Sequence, residues 1–204
     1  MSLYTLDDFR ERAGRLGLDE HATSGDYLLN PDVEPLLKAA KLRDAAVLIG
    51  MRAHEGESRI VLTQRTAHLR KHGGQVAFPG GAIDPQDGTP EKAALREAQE
   101  EIGLDPAMTE VIGRLPDYLT TTGFRIKPVL AVISSDARFV ANPEEVDAVF
   151  EVPVAFLMDL DNHRPESRMW QGIERHYFTM EHGGRLIWGV TAGIIRMMHE
   201  RLYR

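Results

Sequence analysis

A chain of 204 residues with 43% hydrophobic content can bury a substantial core as one domain, with room for only a small appendage. Its formal charge of -7, with lysine and arginine spread along the chain, leaves no electrostatic footprint for nucleic acid, although a local basic pocket can still hold a small anion. The lack of cysteine excludes disulfides, thiolate metal sites and cysteine nucleophiles, so any metal must be held by oxygen or imidazole.

The opening "MSLYTLDDFRERAGRL" carries acids and arginines where a secretory signal needs an apolar core. No later run approaches the roughly 20 apolar residues of a membrane span, so a cytoplasmic protein without a membrane partner is expected. "TLDDFRERAGRL" reads as an amphipathic helix with Thr5 as its N-cap, and a second short helix is expected around Pro35 to Leu42. These two look like a lid or an edge, which makes residues 1–43 an N-terminal helical extension and 44–204 the main domain.

From Asp44 short apolar runs alternate with turn residues. "AAVLIGM" and "RIVLTQR" flank the charged "RAHEGES" and predict a hairpin. "PEKAALREAQEEIG" is rich in helix formers, with Pro90 at its start and Gly103 as its stop. "MTEVIGRLP", "IKPVLAVIS" and "VDAVFEVP" read as strands, "VAFLMDL" as a short helix, "SRMWQ" and "RHYFTM" as a strand pair, and "WGVTAGIIRMMHERLYR" as a closing helix. The order predicts an α+β domain with helices on a mixed β-sheet.

The Pro90 helix crowds Glu97, Glu100 and Glu101 into five residues. At about 100° per residue they share one arc, apart from an apolar stripe of Leu95, Ala98 and Ile102. Like charges at i,i+4 cost an isolated helix about 0.2 to 0.5 kcal/mol per pair, so the arc is either a solvated acidic face or one wall of a cation site. Carboxylates one turn apart suit hard ions such as Mg²⁺ and Mn²⁺, which take oxygen ligands together with waters and substrate phosphates.

The surroundings of the helix decide between these readings. Gly81, then Arg96, Glu97, Ala98, Glu100, Glu101, Gly103 and Leu104 resemble the box of the Nudix hydrolases. "VLTQR" (Val61 to Arg65) and "LRKHGGQVAFPGG" (Leu69 to Gly81) are similar to the extended motif of the coenzyme A pyrophosphatase branch, and family-like spacing extends from Asp44 to about Arg201. The box departs from the general pattern in one place. A Glu is expected six residues after the first Gly and an Arg eight further on, whereas this chain has Asp87 there and Arg96 nine residues beyond it. The coenzyme A branch is similar in this respect, which leaves Asp84 or Asp87 as the loop carboxylate that Arg96 pairs with, Asp87 being favoured.

The resemblance implies an α/β/α sandwich with Mg²⁺ or Mn²⁺ as cofactor and a small nucleotide of the coenzyme A type as substrate. It implies cleavage of the pyrophosphate bond to give 4′-phosphopantetheine and adenosine 3′,5′-bisphosphate. ADP-ribose, NADH or another nucleoside diphosphate derivative is the alternative substrate, and a non-catalytic binding module on the same scaffold is a further alternative. Glu97 and Glu101 are the first candidates for metal ligands, and Glu100 is a further ligand or the base that takes a proton from water. Glu144 and Glu145, in "NPEEVDAV", are runner-up bases from a loop, and both also read as ordinary turn acids.

Arg96 would brace the loop carboxylate. Gly80 and Gly81 would let the backbone approach a ligand. Arg65, Arg70, Lys71 and His72 form a cationic stretch suited to an anionic substrate, with Gln75 as a hydrogen-bonding neighbour. Phe78 reads as core, with base stacking as the alternative, and Thr120 to Thr122 as strand chemistry or substrate contacts. His68, His163 and His182 carry no metal spacing. The N-terminal helices and "MWQGIERHYF" offer surface for a possible homodimer.

Overall fold

The computed structural model describes residues 3–17, 23–68, 72–170 and 172–204. Among the described residues, one sheet contains nine strands: β1 (Thr23–Gly25), β2 (Arg43–His54), β3 (Glu57–Arg65), β4 (Val76–Ala77), β5 (Gly80–Ala82), β6 (Thr109–Arg114), β7 (Asp117–Leu119), β8 (Phe124–Ile133) and β9 (Val146–Pro153). A smaller sheet orders β10 (Arg164–Trp170), β11 (Ile173–His182) and β12 (Arg185–Trp188). The α-helices are α1 (Leu6–Gly14), α2 (Glu34–Ala39), α3 (Pro90–Ile102), α4 (Val154–Met158) and α5 (Gly189–Met198).

Strand β2 organises the large sheet. It runs parallel to β8 from Arg43 to Met51, while its other edge pairs antiparallel with β5 near its start and with β3 near its end. Between those two partners, the Leu48 N–H donates to the Pro79 carbonyl at 2.8 Å, so the Phe78–Pro79 turn is threaded into the sheet and delivers Gly80 and Gly81 beside β2.

Side chains of β2, β3 and β8 alternate between two faces, as strand geometry requires. One set, including Ile49, Met51, Ile60, Leu62, Leu130 and Val132, packs in the core that also holds residues of α1, α4 and α5. The other set, including Ala46, Leu48, Val61, Val129, Ala131 and Ile133, packs with α3. Helices therefore cover both faces, and the α/β/α sandwich is the observed architecture.

Helix α3 starts and stops as its sequence predicts. The Thr89 hydroxyl accepts from the Lys92 N–H, Pro90 occupies the first turn, and Gly103 closes the helix in the left-handed region at φ 64°. Its buried stripe is Ala93, Ala94, Ala98 and Ile102, all 0% exposed, while Leu95 is only half-buried. Alanines facing Ala46 and Ala131 let the helix lie close on the sheet, which carries the glutamates of its last turns toward the Gly80 turn.

Three expectations change. Helix α1 is not a peripheral lid: it has the expected Thr5 cap, but Phe9 is 0% and Ala13 4% exposed within the same core as α5. The second helix stops at Ala39, because β2 already begins at Arg43. The closing helix is α-helical to Met198 and finishes in a π-turn over His199–Tyr203. Strands β1, β4, β5, β7 and β12 are each two to four residues long, too short to show a period in sequence.

Candidate active site

The three glutamates of α3 do not share one environment. Glu101 is 1% exposed. Its Oε1 accepts from Arg65 Nη1 at 3.1 Å and its Oε2 from the Gly80 N–H at 3.0 Å. Glu97 is half-buried, with Arg96 Nη1 3.0 Å from its Oε1. Glu100 leans outward, its side chain 54% exposed, and accepts from the same Arg96 nitrogen at 3.0 Å. The single acidic arc read from periodicity is thus split into a buried ligand candidate, an intermediate one and an exposed one.

Burial pushes Glu101 up to about 7, against the pull of the Gly80 N–H and of Arg65, and the charges of Glu145 and Glu97 push further the same way. Burial also raises Glu97 above the usual carboxylate range; Arg96 draws it back, and Glu100 and Glu145 add repulsion. Two half-compensated carboxylates with a third in the turn before β9 make a site short of positive charge. Glu145 reaches it from the start of β9, where its carbonyl accepts the Thr66 N–H at 3.0 Å.

Arg65 owes its aim to a local irregularity. The pairing of β3 with β9 slips register between Gln64 and Arg65, and such a bulge re-aims the side chain that follows it. The same residue's N–H donates to the Gln75 carbonyl at 2.9 Å, closing the loop that carries the cationic stretch. Expected as a substrate contact, Arg65 stands in the structure as the counterion of Glu101. In that loop His72 Nδ1 lies 2.9 Å from Gln75 Oε1, with His72 exposed and Gln75 half-buried. Arg70 and Lys71 lie outside the described residues.

Arg96 is the centre of the brace. Its Nε and Nη2 bind Asp87 Oδ1 and Oδ2 at 2.8 and 3.1 Å, and Nη2 also reaches the Ala82 carbonyl at 3.2 Å. Asp84 lies 3.9 Å from the guanidinium and is half exposed, whereas the Asp87 side chain is 4% exposed and also accepts the Asp84 N–H. The bidentate partner of Arg96 is therefore Asp87, and the guanidinium holds its carboxyl below the usual range.

Gly80 and Gly81 are here because side chains do not fit. A Cβ on Gly80 would stand 2.3 Å from the Ala46 carbonyl oxygen, and one on Gly81 would stand 2.5 Å from the Glu97 carboxyl carbon. The backbone of this turn is in contact with the candidate ligand.

Other candidates are structural. Phe78 is 3% exposed in the core. Thr120 and Thr122 bond each other across a turn, and Thr121 bonds Asp26. His163 is buried, with Nε2 2.7 Å from the Leu157 carbonyl. A cavity of about 330 Å³ lies between β1, β11 and α5, and the Asp26 carboxylate that lines it is already bound by Tyr118 and Thr121. It contains none of the α3 glutamates.

The donor set of the acidic site is oxygen only, which fits a hard divalent ion. Among the described residues, no three acidic or histidine side chains converge closely enough to hold an ion with Arg96 and Arg65 in their present contacts. Glu97 and Glu100 would have to exchange Arg96 for the ion.

Comparison with known proteins identifies the family. The NUDIX domain model matches residues 41–181. A protein of Klebsiella pneumoniae named uncharacterized Nudix hydrolase NudL is 44% identical over 189 residues, spanning 89% of this chain and 92% of that one. Its namesake in Escherichia fergusonii is 40% identical over 203 residues, spanning 96% and 93%. Among solved structures, the Mycobacterium smegmatis Nudix hydrolase RenU is 27% identical with a TM-score of 0.43, covering 55% of this chain and 71% of that one. The chain belongs to the Nudix family and is a hydrolase acting on pyrophosphate bonds.

Proposed function

We propose that the protein hydrolyses the pyrophosphate bond of coenzyme A or one of its derivatives, releasing 4′-phosphopantetheine and adenosine 3′,5′-bisphosphate, with Mg²⁺ or Mn²⁺ as cofactor. The observation that carries the catalytic half is the pair Glu97 and Glu101, one helical turn apart, raised by burial and facing Glu145 beside a turn whose backbone touches them. A bound divalent ion would neutralise charge on the phosphate oxygens and lower the pKa of a coordinated water.

The remaining work belongs to this chain's own groups. Arg65 and the Gly80 N–H hold Glu101 in one orientation. Arg96, anchored on Asp87, sets the positions of Glu97 and Glu100, the carboxylates that with Glu101 would hold the ion. Glu100, the more exposed acid, or Glu145, from the turn that precedes β9, accepts the proton of the attacking water. The lack of a side chain at Gly81 lets the Glu97 carboxylate lie against the turn.

The choice of coenzyme A rests on "LRKHGGQVAFPGG" and its cations. That substrate carries a 3′-phosphate beyond its pyrophosphate, and Arg70, Lys71 and His72, with Gln75 bonded to His72, would supply the contact. The partners in this reading are that small nucleotide and a second copy of the chain. Turnover of coenzyme A against dephospho-coenzyme A at matched concentration tests it: preference for the phosphorylated form is expected, and equal rates remove the 3′-phosphate contact. Product masses in H₂¹⁸O identify the attacked phosphorus in the same assay.

A further inference from the structure

Strand β10 is exposed along its whole length and is paired by β11 in unbroken register, from Arg164 opposite Thr179 to Trp170 opposite Ile173. Its far edge has no partner among the described strands. The direction of its backbone groups follows from one contact on β11. The His176 N–H donates to Asn30 Oδ1 at 2.9 Å and its carbonyl accepts from Asn30 Nδ2 at 3.0 Å, so both groups of His176 are used on the side away from β10.

Residues opposite each other in an antiparallel ladder either exchange both bonds or both turn away. Ser167, opposite His176, therefore turns its N–H and carbonyl to the open edge, and by alternation so do Pro165 and Met169. Pro165 has no N–H to lose there, which is where proline is tolerated in a strand.

We propose that a second copy of this chain adds to this edge, antiparallel, about a two-fold axis through Ser167. Two bonds form between the Ser167 residues, and each Met169 N–H reaches the partner's Pro165 carbonyl. The pairing sets Glu166 opposite the partner's Arg168 and Arg168 opposite the partner's Glu166. It also sets Arg164 against the partner's Trp170 and Pro165 against the partner's Met169, which covers two large apolar side chains now 54% and 66% exposed. Charge selects this register. With the axis on Glu166, that residue would meet its own copy and Arg164 would meet the partner's Arg168; with the axis on Arg168, two arginines would meet. An open, unbulged strand is otherwise an association hazard, and the self-complementary "ESR" directs it to one closed dimer with a continuous sheet of six strands. The assembly does not depend on the reaction proposed above.

Sedimentation velocity of the full chain at micromolar concentration is expected to show a dimer. Glu166→Arg and Arg168→Glu each place like charges at both symmetry-related contacts and should weaken it by roughly tenfold or more. An equimolar mixture of the two variants should restore a dimer, because every like pair becomes an opposite pair across the interface. Ser167→Pro removes the central N–H and the exposed hydroxyl bond to Glu174 while leaving the backbone bonds to β11 intact, and should give a monomer that keeps its hydrolase turnover. A monomeric native chain, dimers unaffected by the charge reversals, or a mixture that stays monomeric would each overturn the proposal.

Discussion

Arg65 and Glu101 stand 36 positions apart in sequence and meet at 3.1 Å, where the guanidinium is the charge partner of the most buried acid of α3. The pair joins the irregular end of β3 to the last turn of α3. This contact ties the helix to the strand edge at the site itself, in addition to the alanine packing of α3 on the sheet.

Arg65→Ala should destabilise the fold by about 1–3 kcal/mol, the cost of leaving a buried polar group without its partner, reduced by the partial exposure of the arginine. Urea unfolding of Arg65→Ala and Arg65→Lys would check it, with part of the loss recovered by lysine. An unchanged midpoint in the alanine variant would remove the structural role.

Glu101→Gln should nearly abolish Mg²⁺- or Mn²⁺-dependent turnover while leaving the chain folded at a cost of about 1–3 kcal/mol, since the one amide oxygen can accept from Arg65 or from the Gly80 N–H but not from both, as the two carboxylate oxygens now do. Turnover and a thermal melt of the same preparation are the measurements. A fully active glutamine variant would end the assignment of Glu101 as a ligand.

Gly81→Ala should reduce turnover by roughly 100-fold through displacement of the Glu97 carboxylate, which a methyl group at that place would contact at 2.5 Å. The obstructing atoms are the end of a flexible side chain, so the melting temperature should hardly move. Large losses of both would point to a backbone role instead.

Asp87 supplies a pH dependence with a defined sign. Arg96 lowers the Asp87 carboxyl in the folded protein, so the pair contributes stability that is fully present above the ordinary carboxylate value of about 3.9. That contribution is lost as the pH falls through the lowered folded value. Melting temperatures of the native chain and Asp87→Asn should therefore differ at neutral pH and converge toward the acid end of the range. A gap that persists or widens in acid would contradict the ion pair.

Phe9→Ala should cost about 3–5 kcal/mol, because the ring is fully buried in the shared core. Chemical denaturation would separate this from a detachable lid, for which the loss would be slight and the transition would split in two.

Long periodic elements are legible in the sequence. Thr89, Pro90 and Gly103 bracket α3 because capping chemistry is local, and the β2–β3 hairpin follows from two apolar runs around a charged turn. Short strands such as β4 and β5 were not legible, since two or three residues carry no period and exist only where β2 and β3 offer open edges. Helix α1 was misplaced as a lid because amphipathicity tells which face is apolar and not what covers it.

The family resemblance, and with it the acids, the glycine turn and the bracing arginine, came from residue types at fixed spacing in one continuous stretch. That much the sequence determined by itself. Tertiary structure decided which glutamate is buried, that Asp87 and not Asp84 holds Arg96 on both oxygens, and that Arg65 answers Glu101. Spacing along a helix sets an angle about its axis, but the burial and counterions that tune a carboxylate come from strands distant in sequence, and only the folded chain brings them within 3 or 4 Å.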